Sequence, residues 1–518
     1  MDHPTPALPQ RFNFARHILE INAERSSKVA YIDDHGTVTY GELEQRIRRF
    51  AAGIRASGIH REERILLIMQ DSANLPVAFL GALFAGAIPV PVNTLLPADD
   101  YAYMIEHSGA RMVIASSPLL PCVQEAFGKV SVRPELIVSE GSANDLRSMD
   151  NLLAAEPLAV SLCADTSCDD FAFWLYSSGS TGRPKGTVHS HGNLFWTAEL
   201  YAKPVLGIKT DDVVFSAAKL FFAYGLGNGL TFPLSVGATA ILMAERPTPQ
   251  AVFARLTEHK PTIFYGVPTL YVAMLASPSL PGKEDVALRV CTSAGEALPK
   301  EVGEKFHDHF GCEILDGLGS TEMLHIFISN RNGGVRYGTS GQPVPGYDIE
   351  LRDENGQPVA PGEIGDLYIR GPSAALLYWA NREKSRATFL GDWLKSGDKY
   401  CADTDGYYSY AGRNDDMLKV SGQYVSPIEV ESALMGHPAV LECAVIGKTD
   451  SEGLVKTTAY VVLAESRTAA RELEDELKAF VKGRLAPHKY PREILFVSDL
   501  PKTATGKIQR FKLRALQD

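Results

Sequence analysis

The chain has 518 residues, of which 51 are basic and 62 acidic, for a formal net charge of −11. Hydrophobic residues make up 45% and charged residues 22%, which is typical of globular proteins and excludes a disordered or fibrous chain. The acidic balance argues against a nucleic-acid partner held through phosphate contacts. A chain of this length predicts more than one domain.

The seven cysteines are spread thinly and form no CxxC pair, so we expect reduced thiols rather than disulfides or a zinc site. The first residues show no basic stretch followed by an apolar one, so no secretory signal is expected and the predicted location is the cytoplasm. The uncharged stretch 75–92 reaches the length of a membrane span. Its prolines and glycines instead predict a buried helix, a turn and a strand, so no membrane partner is expected.

Helical and strand patterns alternate through the first part of the chain. Apolar residues at helical spacing predict helices at 43–54, 98–107 and 251–259. Each precedes a short apolar run that predicts a strand, at 64–68, 112–114 and 262–264. This alternation is typical of an α/β fold in which parallel sheets are covered by helices.

The pattern changes after about residue 335. Strand-like segments at 349–351 and 366–369 flank the turn Asn355-Gly356 and predict a β subdomain over about 335–411. Further strands at 443–446, 459–463 and 494–497, with a helix at 470–484, predict a small α+β module. We therefore predict a large domain over residues 1–411 and a small C-terminal domain over residues 412–518.

The densest chemical signal is the segment 176–186, YSSGSTGRPKG, which follows an apolar strand at 171–175. Backbone amides, hydroxyls and one cation can together surround a polyphosphate, and glycine permits the close approach that its oxygens need. The spacing differs from that of a Walker A loop. The candidate phosphate-binding residues are Ser177, Ser178, Gly179, Ser180, Thr181, Gly182 and Lys185.

This loop resembles the phosphate-binding signature of the adenylate-forming superfamily, which comprises acyl-CoA synthetases, luciferases and the adenylation domains of peptide synthetases. Five further motifs of the superfamily follow in order, at residues 293–299, 317–323, 396–399, 412–419 and 501–510. Within the superfamily the chain is most similar to the benzoate–CoA ligase group, through KLFFAYGLGN at 219–228 and STEMLHIF at 320–327.

The resemblance implies an ATP site. Glu322 would hold Mg²⁺, with Thr181 as a second metal ligand, and would so offset the repulsion between the triphosphate and the attacking carboxylate. Thr321 would donate to the α-phosphate. By the same resemblance, Asp398 and Arg413 bind the ribose hydroxyls. The slot for adenine is formed by Gly295, Glu296, Ala297, Asp316, Gly317 and Leu318.

The resemblance also implies a mobile C-terminal domain. Lys507 matches the catalytic lysine, a mobile point charge that reaches both the carboxylate and the α-phosphate. Asp415 matches a hinge about which the small domain rotates between adenylation and thioester formation; an ordinary turn aspartate is the alternative. Gly422 would let the pantetheine arm of coenzyme A pass close to the backbone. Lys419 lies on the same side, with a plain surface charge as its alternative.

An acyl pocket is predicted from small and aromatic residues on two of the motifs. Small residues leave room for a ring, and aromatic walls stack on it. Core packing is the alternative for Phe221, and a hydrogen-bonded core histidine is the alternative for His325. The predicted pocket residues are Ala223, Tyr224, Gly319, His325 and Ile326. Two other histidines, His189 and His191, have no metal-ligating neighbours in the sequence and receive no role.

The sequence thus predicts an acid–thiol ligase that uses ATP, Mg²⁺ and coenzyme A to convert an aromatic acid, with benzoate as the first choice, to its CoA thioester. A hydroxy- or aminobenzoate, or another small acid, remains an alternative substrate, and a homodimer remains an alternative to a monomer. A carrier-protein-loading adenylation domain is disfavoured because no aspartate replaces Ala223 or Tyr224 and no carrier module precedes the last residue, Asp518. A binding protein with decayed catalysis is disfavoured by the presence of Lys507, Glu322 and Asp398.

Overall fold

The computed structural model describes residues 7–141, 146–177, 183–413, 417–420, 423–449, 455–464, 469–485, 489–502 and 508–515. In these ranges the helices are α1 (Phe14–Ile21), α2 (Tyr40–Ala56), α3 (Asn74–Ala85), α4 (Ala98–Ser108), α5 (Leu120–Phe127), α6 (Met149–Leu153), α7 (His191–Thr197), α8 (Ala223–Leu226), α9 (Phe232–Val236), α10 (Pro249–Glu258), α11 (Pro268–Ala276), α12 (Lys300–Phe310), α13 (Arg382–Thr388), α14 (Pro427–Met435), α15 (Arg471–Lys482) and α16 (Arg510–Ala515).

The strands up to residue 329 are β1 (Val29–Asp33), β2 (Gly36–Thr39), β3 (Arg64–Ile68), β4 (Ile88–Pro91), β5 (Met112–Ala115), β6 (Glu135–Val138), β7 (Arg147–Ser148), β8 (Phe171–Ser177), β9 (Lys185–Ser190), β10 (Val213–Ser216), β11 (Thr239–Ile241), β12 (Ile263–Gly266), β13 (Val290–Ser293), β14 (Ile314–Gly319) and β15 (Ile326–Ser329). The later strands are β16 (Gln342–Pro343), β17 (Asp348–Arg352), β18 (Ile364–Arg370), β19 (Leu377–Tyr378), β20 (Phe389–Leu390), β21 (Trp393–Ala402), β22 (Tyr408–Arg413), β23 (Leu418–Val420), β24 (Gln423–Val425), β25 (Val440–Thr449), β26 (Val455–Leu463) and β27 (Glu493–Phe496).

A nine-stranded sheet in the order β16-β15-β14-β13-β12-β10-β11-β1-β2 forms the centre of the larger part of the chain. Its inner strands, from β14 to β1, are parallel. Strand β2 at one edge pairs antiparallel with β1, and at the other edge β15 pairs antiparallel with β14 and with β16. Strands β12, β13 and most of β14 are buried, which is why their sequences read as apolar runs. The carboxyl ends of β13 and β14 lead directly into two of the predicted ATP motifs.

A second, five-stranded parallel sheet has the order β4-β3-β5-β6-β7. Helix α3 packs beside it and is buried along nearly its whole length, and it ends at Gly86, whose φ of +84° caps the helix. Strand β4 follows two residues later. The prediction of a buried helix, a turn and a strand over residues 75–92 is therefore confirmed. Among the described residues, no helix has the length and apolarity that crossing a bilayer requires.

Two further sheets complete the part that surrounds the site. Strands β8 and β9 form an antiparallel hairpin, and β19 pairs with the other edge of β9. A five-stranded antiparallel sheet contains β17, β18, β20, β21 and β22, in the region where the sequence predicts a β subdomain. In its first hairpin, Gly356 adopts a φ of +78°, as the Asn355-Gly356 turn requires.

The last part of the chain builds its own core. Strands β25, β26 and β27 form a three-stranded sheet, and β23 pairs with β24. Two hydrophobic clusters consist only of residues from Leu418 to Leu513. The predicted α/β fold class is confirmed, whereas the domain boundary near residue 411 stays a prediction.

An ion pair fixes the last helix to the C-terminal core. Glu431, on α14, is 8% exposed and accepts two hydrogen bonds from Arg510 Nη2, at 2.7 and 2.8 Å. The same carboxylate accepts the Val445 amide at 2.7 Å, which ties α14 to β25. Arg510 begins α16, the helix that follows the segment carrying Lys507.

Replacing Glu431 by alanine should destabilise the C-terminal core by about 3–5 kcal/mol, because it removes the carboxylate partner of a poorly exposed guanidinium and of a buried amide. Glu429→Ala is the matched control. Glu429 lies on the same helix as Glu431, but its ion pair with Lys489 is more exposed, so the loss should cost less than about 1 kcal/mol. Denaturant unfolding of the two variants measures the difference. Equal losses would show that the Glu431–Arg510 pair does not hold this core.

Candidate active site

The predicted phosphate loop connects β8 to β9. Ser177 ends β8 and Lys185 begins β9, and the two residues are partners in the antiparallel register. The loop base is fixed on one side by His107, whose Nδ1 lies 2.8 Å from the hydroxyl of Tyr176. The candidates between the two strands, which lie outside the described residues, are Ser178, Gly179, Ser180, Thr181 and Gly182.

The Glu322 carboxylate faces the base of this loop. Its Oε1 accepts hydrogen bonds from the Tyr378 hydroxyl at 2.8 Å and from Ser177 Oγ at 3.4 Å. Lys185 Nζ lies 4.4 Å from the centre of the Tyr378 ring, a cation–π distance. The structure therefore brings Ser177, Lys185 and Glu322 together. It also adds Tyr378, which sequence reasoning missed because nothing in its neighbourhood marks it.

Thr321 and Glu322 lie in a tight turn between β14 and β15. Leu324 adopts a φ of +65° in this turn, a left-handed conformation that is uncommon for a leucine and that the surroundings must therefore hold. Three consecutive carbonyls of the turn accept hydrogen bonds from outside it. The pairs are His189 Nε2 with Thr321 O at 2.8 Å, the Ala375 amide with Glu322 O at 2.7 Å, and Ser373 Oγ with Met323 O at 2.8 Å.

The predicted adenine slot is made by the end of β14 and the loop that follows β13. The Leu298 amide donates to Asp316 Oδ2 at 3.4 Å, which joins the two segments. Asp316 is 3% exposed, and burial raises the pKa of its carboxyl to about 8. A side chain at Gly317 would begin 3.0 Å from Ile328 O, so glycine lets β15 approach closely. The loop residues Gly295, Glu296 and Ala297 are exposed or half-buried, as is Leu318 on the strand.

The two predicted ribose ligands occupy neighbouring strands. Asp398, on β21, is the register partner of Arg413, on β22. Asp398 is half-buried, and its backbone amide donates to Ser396 Oγ at 3.0 Å. The side chain of Arg413 lies outside the described residues, so its role as a ribose ligand stays a prediction.

The predicted acyl residues meet around His325. Helix α8 begins at Ala223 and continues into a π-helical stretch, Gly227–Thr231. His325 Nε2 lies 3.3 Å from Tyr224 O and 3.1 Å from Asn228 Oδ1, which places the histidine against this irregular helix. Burial lowers the pKa of His325 to about 3, so its ring is neutral at physiological pH.

Aromatic rings surround that neutral histidine. The ring centres of Tyr224 and Phe232 lie 5.5 and 4.4 Å from that of His325. A side chain at Gly319 would begin 2.8 Å from the His325 backbone, so only glycine allows this contact; Ile326 is the register partner of Gly319. Tyr224, Gly319, His325 and Ile326 are thus brought together, and Ala223 begins the helix that carries Tyr224. Phe221 is buried at 5% exposure, as its core-packing alternative expects.

A buried aspartate holds the segment that leads into the pocket. Both carboxylate oxygens of Asp71 lie 3.2 Å from the Leu220 amide, three residues before Ala223. Burial raises the pKa of Asp71 to about 6, and the nearby Lys219 opposes that rise. Lys219 Nζ in turn donates to Glu245 O at 2.6 Å. Sequence reasoning missed Asp71 because it lies 149 residues from its partner.

Several predicted residues cannot be placed. Lys507, Asp415 and Gly422 lie outside the described residues, as does the side chain of Lys419. The described segments on either side of Lys507 are joined by a bridge between Lys502 and Ile508. The roles of these residues therefore stay predictions.

Residues 19–379 match the AMP-binding enzyme family, and residues 429–507 match the AMP-binding enzyme C-terminal domain. The chain therefore belongs to the AMP-binding enzyme family, which confirms the resemblance seen in its sequence. It is 56% identical to the benzoate–CoA ligase of Thauera aromatica, over 99% of this chain and 97% of that protein.

Two solved structures give the same picture. A benzoate CoA ligase from Burkholderia xenovorans LB400 superposes with a TM-score of 0.91 at 66% identity, over 97% of this chain and 100% of that one. An anthranilate CoA ligase in complex with anthranoyl-AMP superposes with a TM-score of 0.93 at 41% identity, over 98% of each chain.

The raised pKa of Asp316 has a consequence for stability. An unfolded aspartate ionises near pH 4, whereas the native group ionises at about 8, so stability falls as pH rises between these values. Asp316→Asn removes this ionisation and keeps an oxygen for the Leu298 amide. Its melting temperature relative to the unmodified protein should therefore rise from pH 5 to pH 8.

Thermal melting at constant ionic strength tests this expectation. Asp308→Asn, which alters an exposed aspartate of α12, is the control and should melt close to the unmodified protein throughout. A pH-independent difference for Asp316→Asn would mean that the native carboxyl is already ionised at pH 5.

Proposed function

We propose that this chain is a benzoate–CoA ligase. It activates the aromatic acid with ATP to an acyl-adenylate, releases pyrophosphate, and then transfers the acyl group to coenzyme A with release of AMP. The observation that carries the proposal is the near-full-length identity, 56% and 66%, to two benzoate–CoA ligases. The contact between the Glu322 carboxylate and Ser177, the first residue of the phosphate loop, supports it. We place the reaction in the cytoplasm, and a homodimer is an assembly open to test.

The first half-reaction must bring two anions together, the acid carboxylate and the triphosphate. The oxygens of Glu322 and Ser177, with the nearby hydroxyl of Tyr378, form the kind of hard donor set that suits Mg²⁺. Glu322 would hold the ion together with Thr181, and the ion would supply charge neutralisation to the phosphates when bound. Thr321 donates to the α-phosphate, and Lys185 adds a second cation at the loop base.

Lys507 supplies a positive charge for the first half-reaction. As the acid carboxylate attacks the α-phosphorus, the ammonium group of Lys507 stabilises the negative charge that accumulates between the two groups. The small domain, from about residue 412, then turns about Asp415. This rotation would remove Lys507 and present Lys419 and Gly422 to the pantetheine arm of coenzyme A.

The acid binds in the pocket around His325. A neutral histidine with the rings of Tyr224 and Phe232 beside it supports this assignment, because aromatic and apolar surroundings suit a benzene ring. His325 packs closely against Gly227 and Gly319, where an added Cβ atom would lie 2.3 and 2.8 Å from it, so we expect little room for a long flexible chain. An aminobenzoate is the second candidate substrate, since a solved structure 41% identical to this chain contains anthranoyl-AMP.

Ala223→Leu should block the pocket. Three added carbons in a filled space typically cost about 1–3 kcal/mol, so kcat/KM for benzoate should fall by roughly ten- to a hundred-fold. The KM for ATP should stay unchanged and serves as the internal control. A CoA-dependent AMP-release assay with benzoate, 2-aminobenzoate, 4-hydroxybenzoate and hexanoate measures both the effect and the preference.

Benzoate should give the highest kcat/KM in that panel, and hexanoate the lowest. If hexanoate were the best substrate, or if Ala223→Leu left benzoate turnover intact, the aryl pocket would be wrong while the ligase chemistry stood.

Lys507→Ala should separate the two half-reactions. Losing one transition-state cation should lower the adenylation rate by about 10²–10³-fold, measured by benzoate-dependent exchange of pyrophosphate into ATP. Thioester formation from preformed benzoyl-adenylate should persist, because in that step the thiol attacks the acyl carbon and no pentacovalent phosphorus has to be stabilised. Equal losses in both steps would make Lys507 a structural residue. Lys512→Ala, on the neighbouring helix α16, is the control and should retain both.

A further inference from the structure

His189 lies between the phosphate-loop hairpin and the turn that carries Thr321 and Glu322. It is fully buried on β9, the strand that leads away from the phosphate loop, and it is the register partner of Phe173 on β8. The two rings stack, with their centres 5.1 Å apart and their planes 15° apart. Its Nε2 lies 2.8 Å from Thr321 O, in the turn that carries Glu322.

The proton of this ring can be located from its neighbours. Burial lowers the pKa of His189 to about 4, so the ring carries one proton at physiological pH. A carbonyl oxygen can only accept, so a 2.8 Å contact with Thr321 O requires the proton on Nε2. Nδ1 then bears a lone pair.

The second ring nitrogen also faces an acceptor, at a longer distance. Nδ1 lies 3.1 Å from Asn193 Oδ1, which accepts the Ser190 amide at 2.9 Å as well. The Asn193 amide nitrogen is engaged as well, since it donates to Pro372 O at 3.0 Å. These two bonds fix the orientation of Asn193. Of the two contacts, the one between Nε2 and Thr321 O is shorter, 2.8 Å against 3.1 Å, so the single ring proton is assigned to Nε2.

Among the described residues of the phosphate-loop hairpin, His189 donates to the backbone of the turn, whereas Ser177 donates to the Glu322 side chain. The other two outside donors, the Ala375 amide and Ser373 Oγ, come from the chain segment just before β19. The Thr321 carbonyl belongs to the residue assigned to the α-phosphate, and the Glu322 side chain follows it directly. A shift of this turn relative to β9 would change the distance between the phosphate loop and both residues.

We propose that His189 is a positioning residue for adenylation: its Nε2–H bond to the Thr321 carbonyl sets the turn bearing Thr321 and Glu322 at a fixed distance from the phosphate loop. The inference rests on the proposed roles of these two residues. A buried histidine that only fills the core is the competing explanation. It predicts that stability, and not one half-reaction, depends on the ring.

Two substitutions separate these explanations. In His189→Gln the amide nitrogen reaches about as far as Nε2 and can still donate to Thr321 O, whereas in His189→Asn it reaches only about as far as Nδ1. Both variants lose the stacking on Phe173, and because the asparagine side chain is one methylene shorter, the two half-reactions are compared within each variant. His191→Asn is a further control, because His191 is equally buried nearby and contacts the Phe14 amide rather than the turn.

Adenylation is measured by benzoate-dependent exchange of pyrophosphate into ATP, and thioester formation from preformed benzoyl-adenylate and coenzyme A. We expect His189→Asn to lower kcat for adenylation by on the order of 10- to 100-fold, as a misplacement of about 1 Å does. We expect His189→Gln to stay within about threefold of the unmodified enzyme. Thioester formation and the KM for benzoate should change less than about twofold in both. His191→Asn should melt earlier without separating the two steps.

Two results would overturn the inference: equal adenylation rates for the glutamine and asparagine variants, or a parallel fall of both half-reactions in His189→Asn. The variant Glu322→Gln distinguishes a failure of the inference about His189 from a failure of the proposed roles of Thr321 and Glu322. If Glu322→Gln loses adenylation while His189→Asn keeps it, the inference about His189 alone is wrong. If Glu322→Gln adenylates normally, the roles of the turn on which the inference rests are wrong.

Discussion

Hydrogen bonds to three consecutive carbonyls hold the turn at residues 321–323, and the candidate active site depends on them. The donors lie on β9 and on the segment before β19, far from the turn in sequence. The turn contains a left-handed Leu324 and leaves the nine-stranded sheet, whereas β9 and β19 belong to another sheet, so the turn reaches this geometry only when the two sheets have assembled. The position of Glu322 therefore depends on segments that are distant in the sequence. Such fixed placement is what a group that must face a triphosphate requires.

Buried ionisable groups around the site are kept neutral by their surroundings. Burial raises the pKa of Asp316 to about 8 and lowers the pKa values of His189 and His325 to about 4 and 3. Each group costs stability in one direction of pH, and each is predominantly neutral near pH 7. In such an environment a cation or a hydrogen-bond donor acts more strongly on developing charge than it would in water.

Much of this architecture could be predicted from the sequence, because local pattern determines it. Helical spacing placed α2, α4 and α10, and the apolar runs after them placed β3, β5 and β12. The family resemblance rested on six ordered motifs, and the structure brings Ser177, Lys185 and Glu322 together as those motifs imply. The π-helical stretch Gly227–Thr231 was not predicted, since its period is close to that of an α-helix.

The supporting residues could not be predicted, because their partners are distant. His189 lies 132 residues from Thr321, Tyr378 lies 56 from Glu322 and Asp71 lies 149 from Leu220. Each looks ordinary in its own segment, and only the assembled sheets give it a role. Sequence motifs thus identified the residues that would meet the substrates, while the residues that hold them in place required the structure.

The most direct test of this account is a double-mutant cycle on the rate of adenylation. The rates of pyrophosphate exchange are compared for His189→Asn, Glu322→Gln and the double variant. If His189 acts through the turn that carries Glu322, its loss should matter little once the carboxylate is gone, so the double variant should be about as slow as Glu322→Gln alone. Two independent, multiplying losses would contradict the claim that the turn is held in place for this carboxylate.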